Sequence, residues 1–106
     1  ERDALGEEPL VVGTLCIDFR QHSVTLEGRR LTLKPKEFDL LAFLVAHRGQ
    51  VLTRDQLLQR VWGYDYAGDT RTVDVHVRGL REKIEAFPSE PRLIETVRGV
   101  GYRFAG

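Results

Sequence analysis

Short apolar runs separated by turn residues fill the first third of the chain, from Leu10 to Leu33. The runs LVV, LCIDF, SVTL and RRLTL are broken at Gly13, at residues 20–22 and at Glu27-Gly28. Within the runs, apolar and polar side chains alternate, as they do in strands with one buried and one exposed face. The pattern predicts a four-stranded antiparallel sheet with one dry face.

A helical period replaces this alternation in the middle of the chain and predicts two helices. The first begins at Pro35, whose missing N–H costs nothing at a helix start, and ends near Gly49. The second begins after Thr53, because residues 53–56 have the T-x-x-Q spacing of a capping box, and it ends near Gly63. Residues 50–52 are too few for more than a bridging strand between the two helices.

The stretch Arg71–Phe87, RTVDVHVRGLREKIEAF, predicts a third helix with two different faces. Four apolar side chains fall on one narrow stripe of the helical wheel, which should face a core: Val73, Val77, Leu80 and Ile84. Six residues point roughly the other way: Arg71, Thr72, Val75, Arg78, Gly79 and Glu82. His76 and Arg81 lie on the two flanks.

The outward face of the third helix combines cationic side chains with small ones, and this combination allows two interpretations. A β-branched residue such as Val75 among arginines suits a DNA major groove, where arginine reads guanine edges or phosphates and an apolar group meets a thymine methyl. The other interpretation is an amphipathic core helix with a solvated charged surface. The helix alone leaves both open.

Residues 63–69 form a loop by their glycines, and Asp69 or Thr70 can cap the third helix. The two tyrosines of this loop, Tyr64 and Tyr66, are candidates either for a contact surface or for packing back onto the domain.

Two β-prone runs follow Pro88 and Pro91 and flank the glycine-rich turn of residues 98–101. They predict a C-terminal hairpin with Arg98 at its tip. Helix, short turn segment, helix, loop, helix and hairpin is the order of a winged helix. The predicted fold is therefore α+β, a winged helix-turn-helix with a four-stranded N-terminal antiparallel sheet, three helices and a C-terminal β-hairpin wing.

Composition adds few constraints. A length of 106 residues with 42% hydrophobic side chains fits one domain, and 16 basic residues balance 16 acidic ones. Any electrostatic argument for nucleic acid must therefore be local. Residues 71–83 carry four basic and two acidic side chains and residues 92–103 carry three and one, so each segment has a net charge of +2.

Residues 1–9 are charged and have no apolar period, so they are predicted to be a linker remnant, with the domain occupying residues 10–106. The single cysteine, Cys16, has no internal disulfide partner and is expected to be a small buried side chain in a reducing cytoplasm. No run reaches transmembrane length and no signal peptide is evident, so a soluble, cytoplasmic protein is expected.

Catalysis is not expected. His22, His47 and His76 fall on different predicted elements without ligand spacing, and Cys16 has no activating partner. Neither a G-x-S-x-G motif nor a phosphate-binding loop is present. We therefore expect no catalytic residue, metal site or cofactor.

Four segments, LKPKEFDLL, VLTRDQLLQRVWG, RTVDVHVRGLREKIE and LIETVRGVGYRF, occur in this order within a match from about Leu10 to Phe104. Together they resemble the DNA-binding effector domain of OmpR/PhoB-type response regulators. The resemblance implies that helix 71–87 enters a major groove and that wing 94–104 lies against a minor groove. It also implies a two-component phosphorelay, in which a histidine kinase acts on an N-terminal receiver domain that is missing from this chain.

The resemblance implies two sets of site residues. The DNA-binding set is Arg71, Thr72, Val75, His76, Arg78, Arg81, Thr96, Arg98 and Trp62. In it, Arg71, Thr72 and Thr96 match phosphate contacts, and Arg98 matches an arginine that enters the minor groove. The loop that meets RNA polymerase in relatives corresponds to Tyr64, Asp65, Tyr66 and Asp69. Relatives bind tandem direct repeats, so two copies per DNA site are expected.

Gly79 departs from the family pattern, because several relatives carry arginine or another polar side chain there. On the predicted outward face, a glycine either removes a base-reading group or lets the backbone approach more closely. Other positions have plain alternatives: Asp74 can pair with Arg78 four residues on, Arg103 can hold an acid, and His76 can flank the core.

Two other functions compete with DNA binding under phosphorelay control. A winged helix can serve only as a protein-interaction module, although Arg71, Arg78, Arg81 and Arg98 argue against it. A transcription regulator can also be controlled by something other than a phosphorelay, since the fold does not determine the input.

Overall fold

The computed structural model describes residues 8–106 and has the predicted winged-helix architecture. The first sheet contains β1 Leu10–Val12, β2 Leu15–Asp18, β3 Ser23–Leu26 and β4 Arg29–Leu31. The helices are α1 Pro35–Ala46, α2 Arg54–Leu57 with a π-helical continuation Leu58–Trp62, and α3 Arg71–Ile84. The second sheet contains β5 Leu52–Thr53, β6 Ile94–Val97 and β7 Gly101–Phe104. The predicted linker, residues 1–9, lies almost entirely outside the described residues.

Both sheets are antiparallel. The first has the strand order β1-β2-β3-β4, and its register places the buried side chains of Leu15, Ile17 and Val24 on one face, as the alternation predicted. Cys16 lies on the other face opposite Thr25, so the prediction that it is buried was wrong and its side chain is half-buried. The second sheet has the order β5-β7-β6, in which the bridging strand β5 pairs with the wing.

The helix starts follow local sequence signals. Thr53 Oγ1 accepts the N–H of Gln56 at 3.0 Å, and Gln56 Oε1 accepts the N–H of Thr53 at 2.8 Å, which completes the predicted capping box. At the start of α1, Lys34 has no capping side chain, and the carboxylate of Glu37 accepts its backbone N–H at 2.9 Å instead. α1 ends at Ala46, three residues before the predicted stop at Gly49.

The π-helical continuation of α2 ends at Trp62, one residue before the predicted end at Gly63, and its last turn is wider than an α-helix. The N–H of Gly63 reaches the carbonyl of Leu58, five residues back, at 3.2 Å. Lys36 Nζ on α1 donates to the carbonyl of Val61 in this turn at 3.0 Å. This contact from another helix has no signature in the sequence of α2 itself.

Helix α3 ends at Ile84, so the predicted end at Phe87 was wrong. The backbone of Glu85 is extended, and its buried carboxylate accepts the N–H groups of Arg92, Leu93 and Ile94 at 2.8–3.1 Å. This side chain ties the end of the helix to the start of the wing. Phe87 lies beyond the turn and is 69% exposed.

One core joins the helices and both sheets. It includes the predicted stripe of α3 and the fully buried Leu40, Leu41 and Leu44 of α1, together with Ile94 and Phe104 of the wing. None of the helices in the described part of the chain is both long and apolar enough to span a membrane.

Candidate nucleic-acid interface

The outward surface of α3 is a row of four residues spaced about one helical turn apart, which we call the outward row: Arg71, Val75, Arg78 and Glu82. The side chain of Arg71 is 85% exposed and Val75 is 65% exposed. Among residues 8–106, Arg78 has no hydrogen-bond or ion-pair partner. The row therefore presents Val75 between two arginines to an external ligand, with the acid Glu82 one turn beyond Arg78.

The flank of α3 that faces the wing carries Asp74. Its Oδ1 accepts Arg54 Nε at 2.7 Å and the hydroxyl of Tyr102 at 2.6 Å. The alternative pairing of Asp74 with Arg78 is therefore wrong. Burial raises the pKa of Tyr102, and its hydrogen bond to the Asp74 carboxylate raises it further, since the phenol must stay protonated to donate.

Arg81 lies on the same flank and is held by the wing. Its Nη2 donates to the carbonyl of Ile94 at 2.7 Å and to the hydroxyl of Thr96 at 2.8 Å, and its guanidinium lies 5.6 Å from the ring centroid of Tyr102. Thr96 is exposed on β6. Because its oxygen accepts from Arg81, the Thr96 hydroxyl proton is available to an outside acceptor such as a phosphate oxygen.

The opposite flank of α3 faces α1 and contains Gly79. A Cβ built at this position would collide with Oε2 of Glu37, which is only 3% exposed. The expectation that Gly79 lies on the outward face was therefore wrong, because the α1–α3 contact occupies that side. Lys83, one turn further on, donates to Glu37 Oε1 at 2.6 Å.

The carboxylate of Glu37 stays charged in this contact. Burial alone would raise the pKa of Glu37, but the hydrogen bonds from Lys83 and from the backbone N–H of Lys34 outweigh it and hold the pKa below the ordinary carboxyl value. Sequence reasoning missed Glu37 as a tertiary contact. Its position three residues after the residue that precedes the helix was the available signal for a capping role.

Thr70 at the start of α3 makes no side-chain cap, and Asp69, one residue before it, bonds to the helix start instead. Asp69 Oδ1 accepts the backbone N–H of Arg71 at 2.9 Å, and Oδ2 pairs with the Arg71 guanidinium at 3.0 Å. The hydrogen bonds from Arg71 lower the pKa of Asp69, and the same pair raises the pKa of Arg71. The side chain of Arg71 remains on the surface, so an anion can compete with Asp69 for it.

Part of the loop before α3 packs back on the domain. Trp62 makes an edge contact with the ring of His76, with centroids 4.9 Å apart, and Tyr66 lies 6.4 Å from Trp62. The Tyr66 hydroxyl is 3.4 Å from the hydroxyl of Thr72, so Thr72 is half-buried where it was expected to point outward. His76 Nδ1 donates to the Thr72 carbonyl at 2.8 Å, which places this histidine at the edge of the core.

Tyr64 and Asp65 form the exposed part of the loop. Tyr64 is 75% exposed and Asp65 is also exposed. The two interpretations of the loop tyrosines thus apply to different residues, since Tyr66, although 42% exposed, contacts Trp62 and Thr72, whereas Tyr64 faces outward.

Arg98 occupies the tip of the wing as predicted. The N–H of Val100 closes the turn on the carbonyl of Val97 at 2.9 Å, with Gly99 at a φ of 76°. Arg98 is exposed and has no partner within the part of the chain that the structure describes. Arg103, in contrast, pairs with Glu95 on the neighbouring strand at 2.6 Å. This confirms the alternative in which Arg103 holds an acidic side chain.

The predicted DNA-binding residues thus fall into four places. Arg71, Val75 and Arg78 share the outward row, and Arg81 and Thr96 join α3 to the wing. Trp62, Thr72 and His76 form a cluster beside the start of α3. Arg98 lies apart at the wing tip.

Comparison with known proteins identifies the fold's relatives. Residues 28–104 match the family described as "Transcriptional regulatory protein, C terminal". The sensory transduction protein RegX3 of Mycobacterium tuberculosis is 53% identical over 102 residues, a match that covers 96% of this chain and 45% of RegX3. The chain therefore spans just under half the length of that relative.

Two solved structures are similar along most of this chain. Response regulator DrrB of Thermotoga maritima, an OmpR/PhoB homologue, has a TM-score of 0.86 at 40% identity, covering 92% of this chain and 44% of DrrB. The DNA-binding domain of Klebsiella pneumoniae RstA, crystallised in complex with the RstA box, has a TM-score of 0.85 at 39% identity, covering 93% of this chain and 98% of that domain.

These relatives are transcription regulators, and their family is not known for enzymes, which agrees with the expectation that this chain is not one. The chain belongs to the family of C-terminal domains of transcriptional regulatory proteins, the DNA-binding output domains of OmpR/PhoB-type response regulators.

Proposed function

We propose that this domain binds double-stranded DNA sequence-specifically, with α3 in the major groove and the wing against the adjacent minor groove. The observation that carries the proposal is the outward row, where Val75 is 65% exposed beside Arg78, a cation that lacks a partner among the described residues. A merely solvated surface gives no reason for an apolar β-branched side chain at its centre. A protein-interaction module gives no reason for unpaired arginines on both the helix and the wing.

Different residues are proposed to contact different parts of the DNA. Arg71 and Thr96 contact phosphates, and Arg98 enters the minor groove. Val75 and Arg78 contact base edges in the major groove. Arg81 supports binding chiefly through the wing, because its Nη2 is already engaged by Ile94 and Thr96. His76, Thr72 and Trp62 shape the surface beside the helix start.

The partners beyond DNA are proposals as well. The exposed Tyr64 and Asp65 are candidates for contact with RNA polymerase. Two domains are expected on tandem direct repeats, and in the whole protein a receiver domain, controlled by a histidine kinase, would precede this one in the cytoplasm. RegX3 and DrrB are about twice the length of this chain, which leaves room for such a domain in a full-length relative. That residues 1–9 are a linker remains a prediction.

The test is selection of bound duplexes from a random DNA pool, followed by affinities of the selected sequences over a range of salt concentrations. We expect two half-sites about one helical turn apart and a steep salt dependence, because each neutralised phosphate releases condensed counterions. Uniform weak binding without enrichment would instead favour a protein-interaction module.

A further inference from the structure

The contact between α1 and α3 is built on a buried carboxylate. Glu37 Oε1 accepts Lys83 Nζ on α3 at 2.6 Å and the backbone N–H of Lys34 at 2.9 Å. A buried acid held by a cation on a neighbouring helix is strongly disfavoured without that partner. The two helices are therefore tied to each other at this point.

The second oxygen of Glu37 lies over Gly79. Glycine in a helix interior is less favourable than alanine, so its presence there calls for a reason. Gly79 has an ordinary helical backbone, so no special φ angle requires a glycine there. The constraint comes from Glu37, since a Cβ at position 79 would collide with Oε2. The buried carboxylate is held in place by the bonds of Oε1 to Lys83 and Lys34, so it cannot swing away without losing them.

Gly79 and Lys83 are sequence neighbours of two members of the outward row. Arg78 precedes Gly79 and Glu82 precedes Lys83 in the same turns of α3. A rotation of α3 that relieves a collision at position 79 moves the side chain of Arg78 in the groove by the same angle. The α1 contact and the base-reading surface are thus mechanically linked.

We propose that Glu37, with Gly79 and Lys83, is a positioning residue that sets the rotation of α3 about its axis, and thereby selects which bases Val75 and Arg78 reach. The inference rests on the proposed DNA-binding function. Position 79 then affects specificity through α1, and not by touching a base.

The test is a double-mutant cycle of Gly79→Ala with Glu37→Ala. Affinities of the folded variants are measured for the selected duplex and for duplexes with one base changed under α3. Gly79→Ala alone should change the ratio between these affinities about five-fold. The salt slope should not change, because no phosphate-binding charge is altered.

In the Glu37→Ala background the same glycine substitution should leave that ratio nearly unchanged, because the colliding oxygen is gone. Asp39→Ala is the matched control, since Asp39 is an acid on the same helix that pairs with Lys36 at 3.6 Å near the surface. In that background Gly79→Ala should keep its full effect. If Glu37→Ala does not fold, Glu37→Asp, which retains the charge and withdraws the oxygen from Gly79, takes its place in the cycle.

An unchanged ratio in folded Gly79→Ala would overturn the inference, and so would an equal effect in all three backgrounds. Failure of the proposed function is separable from this result. In that case the wild-type domain itself would select no sequence.

Discussion

The hydroxyl of Tyr102 on β7 donates a 2.6 Å hydrogen bond to Oδ1 of Asp74 on α3. The same oxygen accepts a hydrogen bond from Nε of Arg54 on α2, so one carboxylate joins the wing, α3 and α2. Residues distant in sequence thereby hold α3 and the wing in one arrangement.

Tyr102→Phe should lower the free energy of unfolding by about 1.5–3 kcal/mol, the range for a hydrogen bond to a charged group. Urea denaturation measures the change. Tyr66→Phe is the control, because Tyr66 is 42% exposed and its hydroxyl makes only a long contact of 3.4 Å with the Thr72 hydroxyl. Equal losses in the two variants would contradict the role given to the Tyr102–Asp74 bond.

Arg78→Ala should relax sequence preference at one base position by about 1–3 kcal/mol and leave the other positions unchanged. The reason is that Arg78 extends from the outward row without a partner among residues 8–106. Competition binding with a set of single-base variants of the selected duplex measures this. A uniform loss across the set would make Arg78 a phosphate contact instead.

Arg98→Ala should weaken binding to all duplexes and reduce the salt slope by about one, because one cation leaves the interface. The loss should be larger where the wing faces a narrow A·T-rich minor groove, whose potential is more negative. Arg103→Ala serves as the comparison, since Glu95 already pairs with Arg103 at 2.6 Å. Similar effects of both substitutions would argue against a special role for the wing tip.

Glu37 should make the domain acid-sensitive. Its pKa is lowered in the folded state, so its contribution to stability is complete above the ordinary carboxyl pKa and is lost as pH falls through the lowered value. The thermal unfolding midpoint of the wild type should therefore fall more steeply between about pH 7 and about pH 3 than the midpoint of Glu37→Gln. Asp39→Asn should decline as wild type does, and parallel curves for wild type and Glu37→Gln would refute the prediction.

Thr53→Ala should destabilise the domain by about 1 kcal/mol, because it removes the acceptor for the Gln56 N–H at the start of α2. Chemical denaturation gives the difference. Thr32→Ala is a suitable control, since Thr32 is exposed and lies between elements. An unchanged free energy of unfolding in Thr53→Ala would mean that water replaces the Thr53 hydroxyl as the acceptor at no cost in stability.

The elements could be predicted because their signals are local. The Thr53 capping box, Pro35 at a helix start and the glycine-rich turn at Arg98 each act over a few residues, and the structure confirms all three. The apolar stripe of α3 likewise follows from its own periodicity. Arg98 could be assigned to the tip because the turn residues on both sides define it.

The partners of the charged residues could not be predicted in this way. Lys83 is 46 residues from Glu37, and Asp74 is 20 residues from Arg54, so no spacing rule connects them. Gly79 was therefore assigned to the outward face, and the partner suggested for Asp74 was Arg78, four residues on. The end of α3 at Ile84 was not predicted, because it depends on hydrogen bonds that Glu85 accepts from backbone N–H groups seven to nine residues further on. The apolar periodicity of the helix carries no information about these bonds.

The carboxylate of Glu85 has a consequence for the kind of DNA the domain accepts. Since the end of α3 and the start of the wing are anchored by this one side chain, the separation between them cannot adjust freely to the duplex. In the proposed complex, a duplex must bring its major and minor grooves to a matching distance, and sequences that resist this deformation bind less well. The domain would then discriminate between duplexes by their groove geometry, and it would show sequence preference even at base pairs that none of its side chains contacts.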